Sequence, residues 1–190
     1  MIDRRDFVRQ LLIDRRDLLV VSGLGAATYD VAAAGDHPLN FYLWGAMGGT
    51  AMIGLGLALA QPQRRVAVIT GDGDMLMGLG SLATIGVKQP DNLVIVVLDN
   101  AHYGETGMQP SHTKAGIDLV ATARACRFKE AHAVTRIEDA AAVRALLHGG
   151  KGPILVSARI KEEDVPRVLP LRDGHAIKQR FIAALDPARA

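Results

Sequence analysis

Short apolar runs alternate along the chain with stretches of helical spacing. Leu18-Leu19-Val20-Val21 predicts a strand that Gly23 ends, and residues 40–44 predict a second, short one. Arg65-Val66-Ala67-Val68-Ile69-Thr70 is β-branched and bounded by Gly71. Leu93-Val94-Ile95-Val96-Val97-Leu98 is the clearest strand, with Pro90-Asp91-Asn92 before it and Asp99-Asn100 after it. Pro153-Ile154-Leu155-Val156-Ser157-Ala158 is another. Helical spacing predicts helices at about 48–61, 75–88, 116–126 and 137–148. Phe7, Val8, Leu11 and Leu12 give the opening segment an amphipathic helix. The strands lack clean alternation, as strands do when helices bury both faces. Strand-helix-strand order then implies an α/β fold: a largely parallel sheet sandwiched by helices in three layers.

The pattern divides the chain into a domain over residues 1–160 and an extension of it over 161–190. The extension opens on Lys161-Glu162-Glu163-Asp164, carries Pro166, Pro170 and Pro187, and predicts a short helix near 174–185. Ile2-Asp3-Arg4-Arg5-Asp6 is echoed by Ile13-Asp14-Arg15-Arg16-Asp17, too briefly for a repeat architecture. A solvated charged face explains the echo.

Composition narrows the classes. The 190 residues are 49% apolar and 22% charged, enough for one domain with a core. Aromatics at 4% and a net charge of +2 give no stacking platform and no basic footprint for nucleic acid. One cysteine, Cys126, excludes an internal disulfide and fits a reducing, cytoplasmic setting. It falls in a helical pattern as a small core residue. Twenty glycines exceed the usual ~7%, which points to tight turns and close backbone approach.

Other leads fade on inspection. Residues 41–60 carry no charge and match a membrane span in length, but Gly45, Gly48, Gly49, Gly54 and Gly56 suit a buried helix better. Arg4-Arg5 lacks the apolar stretch of a twin-arginine signal. Gly23-Leu24-Gly25-Ala26-Ala27-Thr28 nearly fits a dinucleotide fingerprint but lacks its third glycine. It predicts a backbone turn able to line a cleft. His37, His132, His148 and His175 are dispersed without zinc spacing.

The chemistry concentrates behind two strands. Gly71-Asp72-Gly73-Asp74 follows one and opens a helix; Asp99-Asn100-Ala101-His102-Tyr103-Gly104 follows the other. Glycines and free helix N–H groups suit a phosphate. A carboxylate beside a phosphate requires a hard cation between them, and Mg²⁺ takes oxygen ligands with diphosphate. Asp72 offers the charge, Asn100 a neutral oxygen, and a backbone carbonyl of the next loop a third ligand.

Gly71-Asp72-Gly73, twenty-five intervening residues, then Asp99-Asn100 resembles the signature of thiamine diphosphate enzymes. Trp44-Gly45-Ala46-Met47-Gly48-Gly49 is similar to the segment that supports the cofactor's bent shape in that family. The resemblance implies Asp72, Asn100 and the His102 carbonyl as Mg²⁺ ligands. It implies Met47 as a wedge between the cofactor rings and the Gly45 carbonyl as a partner of the aminopyrimidine. It places Gly71, Gly73, Asp74, Tyr103 and Gly104 at the cofactor. Asp74 departs from the pattern, where a small residue is commoner, so its carboxylate has to point away or join the metal shell.

Tyr103-Gly104-Glu105-Thr106-Gly107-Met108-Gln109, with Thr113 beyond and Asn40-Phe41-Tyr42 upstream, is similar to sulfopyruvate and phosphonopyruvate decarboxylases over roughly residues 1–160. That implies a 2-oxoacid decarboxylase β subunit, with Thr106, Gln109 and His112 as candidate substrate or proton-transfer groups. Family members activate the cofactor with a glutamate on a pyrimidine-binding domain across a subunit interface. Glu105, Glu130, Glu138, Glu162 and Glu163 sit on the motif loop or in peripheral segments. The resemblance therefore implies an α subunit and a hetero-oligomer, a dimer of dimers or larger. A carboligase of acetolactate-synthase type, a non-catalytic cofactor-binding subunit and a nicotinamide-binding module stay open beside it.

Overall fold

The computed structural model describes residues 1–163 and 165–185; Asp164 of the acidic run and Pro187 lie outside them. The chain runs α1 (Arg4–Leu11), β1 (Leu19–Ser22), α2 (Ala26–Ala33), β2 (Asn40–Tyr42), α3 (Thr50–Ala60), β3 (Val66–Gly71), α4 (Asp72–Met77) and α5 (Ser81–Lys88). It continues with β4 (Leu93–Asp99), β5 (His102–Tyr103), β6 (Gln109–Pro110), α6 (Leu119–Ala125), β7 (Glu130–Val134), α7 (Ala140–Gly149), β8 (Ile154–Arg159) and α8 (Gly174–Leu185).

Six strands form one sheet in the order β2-β1-β3-β4-β8-β7, and every pairing is parallel. β5 and β6 form a separate antiparallel hairpin. All seven residues of β4, at the centre of the sheet, are buried. Alternate side chains feed two cores. Val20, Ile69, Val96 and Val156 pack with Phe7, Leu11, Val31 and Leu147 of α1, α2 and α7. Val21, Val68, Ile95 and Leu155 pack with Leu55, Ile85, Ala123 and Phe181 of α3, α5, α6 and α8. Covering both faces explains why the strands read as continuous apolar runs.

Three expectations change. The helix expected at 75–88 is two helices that start earlier, at Asp72. Gly78 lies at the break, where an added Cβ would stand 2.0 Å from the carbonyl oxygen of Gly48, so the two backbones touch there. The helix expected at 116–126 is shorter because Asp118 caps it, accepting from the N–H groups of Val120 (2.8 Å) and Ala121 (3.0 Å). Cys126 is its C-cap residue and is half-buried rather than sealed in the core. β7 carries no apolar run, and its edge position beside β8 explains why Glu130 and His132 are tolerated in it. α2 shows almost no amphipathic pattern, which hid it.

Among the described residues no helix is long and apolar enough to cross a membrane. The uncharged run 41–60 divides into the end of β2, a glycine turn and α3. α8 belongs to the domain: Phe181 meets Phe41 edge-on at 5.5 Å between ring centres.

Candidate cofactor site

From β1 the chain crosses to β2 on one side and then to β3 on the other. Such a switch opens a crevice outside the carboxyl ends of the two strands. The cleft there measures about 330 Å³. Leu24 from the turn after β1 and Ala26 and Ala27 from the first turn of α2 line it, with Gly71 at the end of β3, Asp72, Gly73 and Asp74 in α4, and Asn100, His102, Tyr103 and Gly104 after β4. Met47 reaches it from the glycine-rich segment, and Glu162, Glu163, Val165 and Arg167 from the crossing after β8. The near-fingerprint at residues 23–28 is a turn running into the start of α2, and it lines the cleft.

Asp72 opens α4 and is 1% exposed. Its carboxylate accepts from the Ser111 hydroxyl (2.5 Å), and the Thr113 oxygen lies 3.3 Å from it. Burial holds its pKa above the ordinary value; the Ser111 bond works against that shift, and nearby Asp99 adds to it. Asp99 Oδ1 accepts from the Ala101 N–H and from Thr113 (2.8 Å), and Arg159 lies 3.1 Å away. Asn100 Oδ1 accepts from the His102 N–H at 3.0 Å, which fixes the loop after β4. The His102 ring nitrogen Nδ1 lies 2.9 Å from the Asn100 carbonyl, and Nε2 lies 3.3 Å from Glu162. The hydroxyls of Ser111 and Thr113 hold the carboxylates. Thr113 was legible as part of a loop motif, but no sequence signal pointed to Ser111.

Asp74 lines the cleft, but both of its carboxylate oxygens are bonded within the protein. Oδ1 accepts from the Gly48 N–H at 2.5 Å, and Oδ2 accepts from the Thr70 hydroxyl. Gly73 lies against the Tyr103 ring and Met47: an added Cβ would stand 2.7 Å from Tyr103 Cδ1 and 3.2 Å from Met47 Cε. α4 has no side-chain cap, so its first-turn N–H groups remain at the cleft.

The remaining sequence candidates lie outside the cleft wall. Gly45 has open space around its Cα. Thr106 Oγ1 donates to Gln109 Oε1 (2.9 Å) and Gln109 Nε2 donates to the Thr106 carbonyl (2.8 Å), an exposed pair closed on itself. His112 is exposed and its Nδ1 lies 2.8 Å from the Tyr103 hydroxyl. The structure therefore groups Met47, Gly71, Asp72, Gly73, Asp74, Asn100, His102, Tyr103 and Gly104, and leaves Gly45, Thr106, Gln109 and His112 beyond them.

A doubly wound parallel sheet with this cleft defines a cofactor-binding α/β domain. The chain belongs to the thiamine pyrophosphate enzymes: their C-terminal TPP binding domain matches residues 22–158. A relative at 38% identity is the sulfopyruvate decarboxylase subunit beta of Methanothermobacter thermautotrophicus, aligned over 96% of this chain and 95% of that one. The phosphonopyruvate decarboxylase of Streptomyces viridochromogenes is 41% identical over 82% of this chain. The chain spans two fifths of the length of that enzyme and of a second Streptomyces phosphonopyruvate decarboxylase, covering 40% of each. Among solved structures, the 2-oxoglutarate:ferredoxin oxidoreductase of Magnetococcus marinus gives a TM-score of 0.66 over 97% of this chain and 74% of that one. At 16% identity that likeness speaks for the fold alone.

Proposed function

We propose that this chain is the β subunit of a thiamine diphosphate- and Mg²⁺-dependent 2-oxoacid decarboxylase. It would convert sulfopyruvate, or in second place phosphonopyruvate, to an aldehyde and CO₂. A separate α subunit would complete the active site with its glutamate-bearing domain, in a hetero-oligomer. The observation that carries this reading is the near end-to-end likeness to a sulfopyruvate decarboxylase β subunit, together with the buried Asp72 at the strand switch. The single cysteine accords with a cytoplasmic setting.

The residues fit the cofactor. Asp72, Asn100 and the His102 carbonyl are oxygen donors of the kind Mg²⁺ takes. Among the described residues no group of three His, Cys, Asp or Glu side chains could hold a metal alone. A diphosphate supplying further oxygens resolves that shortage. A cation at Asp72 would also relieve the burial cost that raises its pKa. The N–H groups at the start of α4 would meet the diphosphate, with Gly71 and Gly73 leaving room for it. Met47 would fill the bend of the cofactor; Gly45 lies beyond the cleft wall, and its carbonyl would meet the aminopyrimidine only on the side that the α subunit completes. Bound there, thiamine diphosphate supplies the electron sink that lets CO₂ leave.

The chain's own part is to orient and to move a proton. Replacing CO₂ by hydrogen consumes one proton per turnover. Tyr103 and His112, hydrogen-bonded at 2.8 Å and open to solvent, form a pair able to relay it. Thr106 and Gln109 would take part only where the α subunit closes over their loop. Reconstitution with the α subunit tests the proposal. Thiamine diphosphate and Mg²⁺ should be required for aldehyde release, and no aldehyde from either substrate would refute it.

A further inference from the structure

The wall of the cleft on the α1–α2 side holds an arginine outside the cofactor motifs. Arg4, in the first turn of α1, is only 5% exposed, yet it lines the cleft. Its Nε donates to Asp30 Oδ2 at 2.6 Å, and Asp30 on α2 is fully buried. The terminal guanidinium nitrogens have no hydrogen-bond partner among the described residues. Arg4 is part of the cleft lining, so its guanidinium borders that space. A guanidinium presents paired N–H donors in a fixed fork that matches an oxyanion.

The charges around Asp30 point the same way. Asp30 is shared between Arg4 and Arg5, the latter at 3.3 Å, so two cations face one carboxylate. Arg5 is also tied to the Pro166 carbonyl. Arg167 adds a further cation to the cleft lining, with its guanidinium 5.9 Å from the Tyr29 ring centre. Three carboxylates of the cleft are engaged, Asp72 by Ser111, Asp74 by Gly48 and Thr70, and Glu162 by His102, while Glu105 and Glu163 also line it. The loop expected to meet a substrate anion, by contrast, spends Thr106 and Gln109 on each other.

We propose that Arg4, preset by Asp30, binds the sulfonate or phosphonate at the far end of the substrate and so sets the preference for a dianionic 2-oxoacid. This rests on the decarboxylase reading above. The same oxyanion chemistry occurs in the cofactor's own diphosphate, so the test separates the two. Arg4→Lys keeps a cation for Asp30 and removes the fork; Arg4→Met removes both. Each variant, assembled with the α subunit, is compared with wild type in three measurements. These are calorimetric binding of sulfoacetate, calorimetric binding of thiamine diphosphate with Mg²⁺, and the KM and kcat for sulfopyruvate. Melting temperature controls for folding.

For Arg4→Lys, sulfoacetate affinity should fall by roughly tenfold or more, with the loss in turnover falling on KM and thiamine diphosphate binding kept within about twofold. An equal loss of thiamine diphosphate affinity would assign Arg4 to the cofactor and overturn the proposal. Unchanged sulfoacetate binding would reduce Arg4 to a structural partner of Asp30 and overturn it too. Should wild type release no aldehyde, the decarboxylase reading falls, and sulfoacetate binding still decides the role of Arg4 as an anion site.

Discussion

The backbone N–H of Gly48 donates to Oδ1 of Asp74 across 2.5 Å. That bond ties the glycine-rich segment before α3 to the first turn of α4, across 26 residues of sequence. With Oδ2 taken by Thr70, the carboxylate is spent within the protein. A residue that departs from the family pattern thereby serves as a strut.

Asp74→Ala should cost about 1.5–3 kcal/mol of stability, the range for hydrogen bonds to a charged group. It should also weaken cofactor binding, because Met47 lies on the released loop. Asp74→Asn keeps one acceptor and should lose less. Denaturant unfolding of both variants checks the order.

Asp72 works against the metal-free fold. A carboxylate whose folded pKa is raised above 3.8 adds stability at low pH and loses it as pH rises through the raised value. At neutral pH, Asp72→Asn should therefore raise the melting temperature of the metal-free protein, with the gain shrinking toward about pH 4. The same variant should lose Mg²⁺-dependent retention of thiamine diphosphate. A lower melting temperature across the whole pH range would contradict the burial cost.

Two glycines separate packing from ligand clearance. Gly73→Ala pushes a methyl group into the Tyr103 ring and should cost about 1–3 kcal/mol. Gly71→Ala meets no protein atom within 4 Å, and its backbone is extended. Its stability should stay within about 0.5 kcal/mol, while thiamine diphosphate affinity falls because the new methyl enters the cleft. Unfolding curves and cofactor titrations, run in parallel, distinguish the two effects.

The Thr106–Gln109 pair is exposed and self-contained. Thr106→Val and Gln109→Ala should leave stability within about 0.5 kcal/mol. Cofactor binding should be unchanged as well. Any loss of kcat/KM in the assembled enzyme would then report contacts made only when the α subunit is in place.

The sequence by itself determined the central strands, the two turns that carry Asp72 and Asn100, and the class of fold. Each is a local signal: β3 and β4 are apolar on both faces because helices cover both, and Gly71 and Asp99 mark where each strand ends. β7 and α2 were not legible, since an edge strand tolerates Glu130 and His132 and a short alanine-rich helix leaves no period. Only the tertiary structure decided where side chains point. Asp74 bonds Gly48 and Thr70, Thr106 pairs with Gln109 outside the cleft lining, and Arg4 reaches the cleft wall from the opening helix. Those outcomes depend on contacts between segments far apart in the chain. Periodicity carries no record of them, because a hydrogen bond across 26 residues leaves no mark on the spacing within either segment.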